Sequence, residues 1–476
     1  MNVAMLLDMA ADGLGDRVAF GSRDDAMTFS VLRERATAIA TQLDGSERHT
    51  LALVSETGPV VPAAFFGAAW AGAAYAPINY RLPDPARLEL LHRLRPTEVA
   101  DESWLALAPT PGRAFPDAPE RPAVVLFTSG TSAEPKAAVL EHDQLMAYQF
   151  NTVEFASAGE DEAVLLAVPP FHIAGVTAVL TSTYAGRRIV PLPRFDAHDW
   201  LRAARDEGVT HAFLVPTMLA RIVAALEDDP DATPTTLRHL AYGGARLPAP
   251  VLERALRLLP TTGFVNAYGL TETSATVTVL GPDDHRTAFE STDPAMRARL
   301  ASAGRPVPGI EVRVVDDAGS ECRHGETGEI LVRGDQVSGE YVGRGSTQDD
   351  DGWLHTSDRG RVDADGYVFI EGRGDDTIIR GGENIAPAEI EDALLEHPAV
   401  SAAAAVGVPD EEWGERVGAM VSLRPGASVD TDALRTWVRE RLGSLKTPDL
   451  IEVRDDLPHT ATGKILRRQV RAELTA

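Results

Sequence analysis

Hydrophobic and polar positions along the chain fall into two recurring patterns, short apolar runs and longer stretches that are apolar on one face. The runs at 123–127, 163–168 and 210–215 predict buried strands. The stretches at 200–208 and 218–228 repeat apolar residues at helical spacing and predict helices. Because strands alternate with helices along this part of the chain, we predict a layered α/β fold.

The pattern changes twice toward the C-terminus. From about Gly325, DG pairs punctuate short alternating segments, which predicts β-hairpins. Beyond residue 376, a predicted helix at 386–398, a strand at 401–408 and a helix at 431–442 indicate a separate unit.

These patterns divide the chain into domains. We predict a large N-terminal domain at 1–371, built of β-sheets layered with helices plus a β-barrel-like subdomain, and a small α+β domain at 377–476. The connecting segment 372–376 is predicted to be a hinge, because its glycines allow backbone rotation and its charged residues keep it in water.

Composition limits the possible partners. The chain has 476 residues, of which 44% are apolar and 24% charged, as in soluble globular proteins of two or three domains. Its net charge of −26 argues against a nucleic acid or an anionic membrane as partner. The single cysteine, Cys322, excludes an intramolecular disulfide and fits a reducing cytoplasm.

One uncharged stretch, Thr57 to Asn79, reaches the length of a membrane span. It is rich in Ala and Gly, contains Pro62 and Pro77, and has few of the Leu and Ile residues that drive insertion. We therefore predict a buried helix followed by a strand, and no membrane span.

Lysine is rare in this chain. Of 45 lysines and arginines only three are lysines, namely Lys136, Lys446 and Lys464. A lysine ammonium is a compact point charge and guanidinium a planar fork, so a site that needs one proton donor near one oxygen does not exchange them freely. Chance retention is the alternative for any single lysine.

Lys136 ends the segment TSGTSAEPK at 128–136, directly after a predicted strand. Hydroxyls and backbone N–H groups in such a loop wrap phosphate oxygens, and a lysine neutralises one of them. A Walker loop is the rival, but Pro135 replaces its second glycine and Ala137 its magnesium-binding hydroxyl. A plain Ser/Thr-rich surface loop is the other alternative.

The segment TSGTSAEPK closely resembles the phosphate loop of the adenylate-forming superfamily, which comprises acyl-CoA synthetases, nonribosomal adenylation domains and luciferases. Other motifs resemble that family and follow in its order: PPFH (169–172), YGGARL (242–247), NAYGLTET (266–273), DGWLHTSD (351–358), GRGDDTIIRGGENIAPAEIE (372–391) and PHTATGK (458–464). Two positions depart from the family pattern, since Ala133 and Ser357 stand where glycine is usual. The motifs look most like those of ligases for aryl or related cyclic acids.

The resemblance implies a first half-reaction that joins a carboxylate to the α-phosphorus of ATP and expels pyrophosphate. Lys464 is then expected to supply positive charge to the transition state. Thr271 would meet the α-phosphate, and Glu272 would help hold Mg²⁺, which prefers hard oxygen ligands. The β and γ phosphates would be held by Thr128, Ser129, Gly130, Thr131, Ser132 and Lys136.

The same resemblance implies where the nucleoside binds. Adenine is expected between Tyr268 and the turn at Gly243, Gly244 and Ala245, whose lack of bulk permits close approach. Asn266 and Gly269 belong to the same nucleotide-binding motif as Tyr268. Ribose would be bound by Asp358, with Arg373 nearby.

In the second half-reaction a thiol attacks the mixed anhydride and AMP leaves. The family rotates its small, mobile C-terminal domain about a hinge, which here falls on Asp375. Lys464 then leaves, and the face that carries Gly381, Gly382 and Glu383 arrives to line a thiol tunnel. The resemblance places His172 beside the acyl pocket and the thiol entrance. Contacts to the CoA nucleotide are expected from Trp413, Lys446 and Arg81, with packing as the alternative for Trp413.

The acid is predicted to have a neutral tail. After PPFH, Ala174, Gly175 and Val176 offer no charge to an α-amino group, whose unpaired burial is costly. We therefore expect an aryl, alicyclic or medium-chain carboxylic acid. Only 12 residues follow Lys464, so the thiol is expected on another molecule, either coenzyme A or a separate acyl carrier protein.

The leading hypothesis is an ATP-dependent, AMP-forming acid–CoA ligase that uses Mg²⁺ and acts in the cytoplasm as a monomer or homodimer. Loading of a free-standing carrier protein is the alternative within the same class. A non-catalytic nucleotide-binding protein is an alternative of another class, and the retention of Lys464, Glu272 and Asp358 argues against it. Nothing in the sequence marks a luciferase-like oxygenase.

Overall fold

A computed structural model describes residues 1–23, 25–44, 49–117, 119–128, 135–381, 383–410, 413–460 and 464–475. The strands are β1 Val18–Gly21, β2 Ala26–Thr28, β3 Thr50–Leu53, β4 Ala74–Pro77, β5 Thr97–Ala100, β6 Val124–Thr128, β7 Lys136–Leu140, β8 Ala163–Leu166, β9 Arg188–Pro191, β10 His211–Leu214, β11 His239–Gly243, β12 Gly263–Leu270, β13 Ala275–Leu280, β14 Arg305–Pro306, β15 Ile310–Val315, β16 Gly328–Gly334, β17 Glu340–Tyr341, β18 Gly345–Ser346, β19 Leu354–Val362, β20 Val368–Arg373, β21 Ile378–Arg380, β22 Glu383–Ile385, β23 Val400–Asp410, β24 Gly414–Leu423 and β25 Leu450–Arg454.

The α-helices are α1 Ala4–Leu14, α2 Phe29–Gln42, α3 Val60–Ala71, α4 Asp84–Arg93, α5 His142–Thr152, α6 Ile173–Ala185, α7 Ala197–Asp206, α8 Pro216–Asp228, α9 Ala249–Leu258, α10 Pro282–Glu290, α11 Pro294–Ala298, α12 Pro387–Leu395, α13 Thr431–Leu442 and α14 Arg467–Thr475. Short 3₁₀ turns lie at Glu102–Ala106, Pro230–Ala232, Thr271–Thr273, Arg299–Ala301 and Gly374–Asp376.

Two large sheets form the N-terminal part. One has the strand order β14-β13-β12-β11-β10-β8-β9-β1-β2, and its strands from β9 to β12 are parallel. The other has the order β18-β17-β7-β6-β4-β3-β5, with β3, β4, β5 and β6 parallel. Parallel strands need helical crossovers, which explains why apolar runs and amphipathic stretches alternate along the chain.

Helices fill the space between the two sheets and cover the outer face of the first. A continuous core joins α1, α2, α3 and α6 to strands of both sheets. A second core packs α7, α8 and α9 against β8, β10, β11 and β12. The predicted layered α/β class, with a large N-terminal part and a smaller C-terminal part, is confirmed.

A third sheet connects these layers to the C-terminal part. Its antiparallel order is β15-β16-β19-β20, so the segment predicted to be β-barrel-like is an open sheet in the part of the chain that the structure describes. The C-terminal sheet has the order β22-β21-β24-β23, with β25 parallel to β24, and α12 and α13 pack on it. Strand β20 ends at Arg373, so the predicted hinge includes the end of that strand and the turn after it.

Local capping explains where predicted helices differ from observed ones. The helix predicted at 200–208 begins at Ala197 because the Asp196 carboxylate accepts hydrogen bonds from the backbone N–H groups of His198 and Asp199. The helix predicted at 386–398 ends at Leu395, three residues before Pro398, because a proline disfavours helix in the preceding residue.

The uncharged stretch from Thr57 to Asn79 forms α3 and then β4, as predicted. Helix α3 is buried on all sides and ends at Gly72, which adopts a left-handed conformation with φ of 70°. Among the described residues, no helix has both the length and the apolarity that a membrane crossing requires.

Gly304 allows a close approach between the first and third sheets. Its carbonyl accepts a 2.8 Å hydrogen bond from the N–H group of Val368, and Ala303 donates one of 2.7 Å to the Val368 carbonyl. A Cβ atom at Gly304 would lie 1.9 Å from the Val279 carbonyl oxygen, and the backbone φ is 79°. Only glycine fits both conditions without displacing the backbone.

We predict that Gly304→Ala lowers the free energy of unfolding by roughly 3 kcal/mol or more, because the side chain collides with backbone. The matched control is Gly319→Ala, since Gly319 also has φ of 79° but no atom within 4 Å of its Cβ position. The free energy of unfolding of that variant should fall by only about 1 to 2 kcal/mol, the cost of a left-handed conformation for a residue with a side chain. Thermal denaturation of both variants checks the prediction, and equal losses of stability would contradict it.

Candidate functional site

A cleft of about 1330 Å³ lies between the N-terminal part and the C-terminal domain. Ten of the residues predicted from sequence to be functional are among the described residues that line it: Arg81, Gly243, Gly244, Ala245, Asn266, Tyr268, Gly269, Asp358, Arg373 and Lys464. These residues come from β11 and the turn after it, from β12, β19 and β20, and from the loops before α4 and α14, so the cleft joins distant parts of the sequence.

Adjacent parallel strands bring the glycine turn and Tyr268 together. Strands β11 and β12 pair in register, with Gly243 opposite Ala267, so the carboxyl ends of both strands reach the cleft. A Cβ atom at Gly243 would lie 2.2 Å from the Ala267 carbonyl oxygen. Glycine at this position therefore lets the two strand ends lie close enough to form one wall.

Asp358 is a buried carboxylate that lines the cleft. The Tyr268 hydroxyl donates a 2.7 Å hydrogen bond to its Oδ2 atom, and the Arg373 Nε atom lies 3.4 Å from Oδ1. Asp358 and Arg373 face each other across the antiparallel pair β19 and β20. Burial raises the pKa of Asp358, although Tyr268, Arg373 and Lys464 each act to lower it.

The neighbouring residue, Ser357, adopts a left-handed conformation with φ of 60°. This conformation costs a residue with a side chain about 1 to 2 kcal/mol more than it costs glycine. The left-handed backbone explains why glycine is usual at this position in the family that the motifs resemble. The other departure, Ala133, lies outside the described residues.

Lys464 reaches the cleft from the C-terminal domain. Its backbone N–H donates a 3.0 Å hydrogen bond to the Thr460 hydroxyl, and its carbonyl accepts one of 2.7 Å from the Thr460 N–H. Its ammonium interacts electrostatically with Asp358, Arg373 and Asp376. Partial removal from water within the cleft lowers the pKa of Lys464, Arg373 lowers it further, and Asp358 opposes that change.

A second group of predicted residues meets around Tyr341. The Glu272 carboxylate accepts a hydrogen bond from the Tyr341 hydroxyl, and the Lys136 Nζ atom lies 5.2 Å from the centre of the Tyr341 ring. The Glu272 carbonyl also accepts a 2.8 Å hydrogen bond from the Ser338 N–H. Arg373 interacts electrostatically with Tyr341, so the two groups are neighbours.

This second group could hold a magnesium ion together with phosphate oxygens. Glu272 is a hard carboxylate ligand in the turn that follows β12, and Thr271 begins that turn. Within the described ranges, there is no group of three or more His, Cys, Asp or Glu side chains that could hold a metal ion. A single carboxylate fits Mg²⁺, which in nucleotide enzymes takes one or two carboxylates and completes its shell with phosphates and water.

The phosphate loop is described only at its two ends. Thr128 and Lys136 face each other at the ends of β6 and β7, and the Thr128 hydroxyl donates a 3.5 Å hydrogen bond to the Lys136 carbonyl. Four predicted phosphate ligands, Ser129, Gly130, Thr131 and Ser132, lie outside the described residues. Gly382 and the side chain of Asp375 lie outside them as well.

His172 lies at the start of α6 beside aromatic residues. Its ring centre is 4.6 Å from that of Phe171, which in turn contacts Tyr80 edge to face at 5.6 Å. Its Nε2 atom is buried and has no hydrogen-bond partner in the described part of the chain. Burial, with a smaller contribution from Arg81, lowers the pKa of His172 to about 4, so the imidazole is neutral at physiological pH.

The remaining predicted residues lie on another face of the C-terminal domain. The Gly381 N–H donates a 2.8 Å hydrogen bond to the carbonyl of Trp413, whose side chain is 43% exposed. Glu383 pairs with Arg380 in the hairpin of β21 and β22, and Lys446 forms an ion pair with Glu389. As far as the described residues define the cleft, its walls do not include Gly381, Glu383, Trp413 or Lys446.

Sequence reasoning missed two residues at the site. Tyr341 connects Glu272 to Lys136 but lies outside every recognised motif. Arg246 lines the cleft and lies within the motif YGGARL at 242–247, so its place in that motif was an available signal.

Comparisons with known proteins agree with this geometry. The profile of the family described as AMP-binding enzyme matches residues 7–100 and 89–342. The profile of the AMP-binding enzyme C-terminal domain matches residues 389–464. A feruloyl-CoA synthase from Amycolatopsis sp is 35% identical over 94% of each chain. A fatty acid–[acyl-carrier-protein] ligase, ScoC, from Streptomyces coeruleorubidus is 37% identical over 74% of this chain and 67% of its own.

Solved structures extend the likeness to the whole fold. The o-succinylbenzoate CoA synthetase of Bacillus subtilis, solved with its acyl-adenylate intermediate, matches with a TM-score of 0.85 at 29% identity and covers 98% of this chain and 97% of its own. The same enzyme solved with ATP and magnesium ion matches with a TM-score of 0.83 at 28% identity over 98% of each chain. The chain therefore belongs to the family of AMP-binding enzymes, the adenylate-forming superfamily that its motifs indicate.

Proposed function

We propose that this chain activates a carboxylic acid with ATP to form an acyl-adenylate and then transfers the acyl group to the thiol of coenzyme A. The products are acyl-CoA, AMP and pyrophosphate. The observation that carries this proposal is the cleft in which Lys464 of one domain meets Tyr268 and Asp358 of the other and Arg373 of the connecting segment. The relatives named as CoA ligases, and the relative solved with ATP and magnesium, support the same ligands.

The nucleoside is assigned to the wall formed by β11 and β12. Adenine stacks between Tyr268 and the Gly243 to Ala245 turn, where the absence of bulky side chains leaves room for a flat base. The Asp358 carboxylate accepts hydrogen bonds from the ribose hydroxyls, while the bonds from Tyr268 and Arg373 keep it oriented.

Adenylation requires a weak nucleophile to approach a polyanion. In this proposal the Lys464 ammonium lies between the acid's carboxylate and the α-phosphate, where it offsets the repulsion and stabilises the charge of the transition state. The electrostatic contact with Asp358 keeps the lysine charge beside the nucleotide. Positioning and charge, rather than proton transfer, then account for the rate.

Lys136, Glu272 and Tyr341 are assigned to the outgoing phosphates. Mg²⁺ held by Glu272 neutralises phosphate charge and orients the departing pyrophosphate. Lys136 supplies a second positive charge at the β and γ phosphates. Tyr341 acts on both, because its hydroxyl holds the Glu272 carboxylate and its ring attracts the Lys136 ammonium.

For the second half-reaction we propose that the C-terminal domain rotates about the segment 372–376. Rotation moves Lys464 out of the cleft and brings in the face of the C-terminal domain that carries Gly381 and Glu383. Trp413 and Lys446 on that face, together with Arg81 near His172, are assigned to the CoA nucleotide. The partial exposure of Trp413 supports a contact that forms only after rotation.

We further propose an aryl, alicyclic or medium-chain acid as substrate. The likeness to a feruloyl-CoA synthase and to a succinylbenzoate CoA synthetase supports a ring-containing acid. The likeness to ScoC favours a carrier protein as the alternative acceptor. A cytoplasmic location and a monomeric or homodimeric state remain proposals.

Acid-dependent exchange of pyrophosphate into ATP tests the first half-reaction. We expect exchange with one or more acids in a panel of aryl, alicyclic and medium-chain members, and none with α-amino acids. AMP release with CoA, compared with release with candidate carrier proteins, then identifies the acceptor. Absence of exchange over the whole panel would contradict the proposal.

Lys464→Ala should abolish acyl-adenylate formation but largely spare thioester formation from a supplied acyl-adenylate. The physical reason is that Lys464 stabilises only the transition state in which pyrophosphate leaves. Rapid-quench measurements of the two half-reactions check this. Equal loss of both half-reactions would contradict rotation of the C-terminal domain.

Tyr341→Phe should raise the half-saturating Mg²⁺ concentration for pyrophosphate exchange roughly tenfold, because a metal-binding carboxylate loses the partner that orients it. Calorimetric titration of ATP with and without Mg²⁺ should show a weaker contribution from Mg²⁺. Thioester formation from supplied acyl-adenylate should be unchanged.

Tyr367→Phe is the matched control for that variant. The Tyr367 hydroxyl also donates to a carboxylate, Asp284, at 2.7 Å, and Arg299 and Arg305 lie over its ring, but none of these partners is assigned to the phosphates. Its Mg²⁺ dependence should equal that of the unmodified protein. An unchanged Mg²⁺ dependence in Tyr341→Phe would show that Tyr341 has no such role.

A further inference from the structure

The cleft is held closed by hydrogen bonds from Arg246, a residue that follows the glycine turn directly. One of its terminal nitrogens donates 2.9 Å hydrogen bonds to the Ala388 carbonyl and to Asp392 Oδ1, and the other donates to Asp392 Oδ2. Ala388 and Asp392 are one turn apart on α12, the first helix of the C-terminal domain. Arg246 therefore joins the turn assigned to adenine to the moving domain.

The geometry of this contact is suited to fixing an orientation. A guanidinium that binds both oxygens of a carboxylate constrains direction as well as distance. The additional bond to a backbone carbonyl fixes the position along α12. The two side chains are 39% and 26% exposed, so water only partly screens the pair.

The same interface also contains a repulsion between like charges. Arg254 of α9 and Arg424 of the C-terminal domain both line the cleft, and their like charges repel, with Glu227 as the acid paired to Arg254. The attraction between Lys464 and Asp358 across the cleft opposes this repulsion. Arg246 and Asp392 supply an attraction of that kind at the same cleft.

The contact between Arg246 and α12 also affects the position of Lys464 in the same domain. Helix α12 and the loop that carries Lys464 belong to one domain, which is joined to the rest of the chain at 372–376. With that connection as a pivot, a second fixed point on α12 determines where Lys464 lies. Loss of the fixed point should leave the lysine present but less often beside Asp358.

We propose that Arg246 and Asp392 form a latch that holds the C-terminal domain in the orientation for acyl-adenylate formation and opens before thiol attack. Arg246 is thus a positioning residue, because it acts through Lys464 and not on the reacting atoms. The proposal rests on the proposed function. It also connects binding of the nucleotide to closure, since ordering of the glycine turn positions the adjoining guanidinium.

Arg246→Ala should slow acyl-adenylate formation roughly tenfold, the effect of losing about one charge-assisted hydrogen bond. Thioester formation from a supplied acyl-adenylate should be unchanged or faster, because the domain no longer has to break the contact. Asp392→Ala should give the same pattern, and the double variant should be no slower than either single variant. Hydrogen exchange over residues 387–395 in the presence of ATP should rise in all three.

Arg297→Ala is the matched control. Arg297 is also 39% exposed and also donates to a carbonyl, that of Phe289, and to a carboxylate, that of Glu253, but all three residues lie in the N-terminal part. Its two half-reaction rates should equal those of the unmodified protein. If Arg246→Ala slows both half-reactions equally, or neither, the latch is wrong. If the unmodified protein forms no acyl-adenylate, the proposed function fails instead.

Discussion

The arrangement of charges around the buried Asp358 carboxylate is the constraint on which the site depends. A carboxylate removed from water is unfavourable unless donors and positive charges surround it. Here Tyr268 donates one hydrogen bond, Arg373 lies beside the other oxygen, and the Lys464 ammonium approaches from a second domain. The same carboxylate that suits ribose hydroxyls therefore also attracts the residue assigned to the reaction.

The fold provides this arrangement by bringing strand ends together. The parallel order of β11 and β12 places the glycine turn and Tyr268 at one edge, and the antiparallel pair β19 and β20 presents Asp358 opposite Arg373. Helices α7, α8 and α9 pack against β11 and β12, and a separate apolar cluster joins β19 and β20 to β15 and β16. The C-terminal domain supplies Lys464 and the wall that contains α12, whereas the glycine turn and Tyr268 belong to the N-terminal part. A change in the orientation of the C-terminal domain therefore alters the chemistry without disturbing the nucleotide wall.

Much of this could be predicted from the sequence because it depends on local patterns. Periodicity predicted β6, β8 and β10 and the helices α7 and α8 of the parallel layers, and the motif at 458–464 indicated Lys464 as a candidate. Tyr341 and the Arg246 contact could not be predicted, since each joins residues far apart in sequence and neither requires a local pattern. The left-handed conformation of Ser357 could not be predicted either, because serine gives no local signal for a positive φ.

The central claim is that one orientation of the C-terminal domain serves acyl-adenylate formation and that this orientation must be lost before thioester formation. A cleavable crosslink tests it most directly. In a Cys322→Ser background, Arg246→Cys and Asp392→Cys are joined by a short bismaleimide with a photocleavable spacer, which the thiol of CoA does not break. The crosslinked protein should form acyl-adenylate in a single turnover and transfer none of it to CoA, and cleavage of the spacer by light should restore transfer. Continued acyl-CoA production by the crosslinked protein would contradict the account.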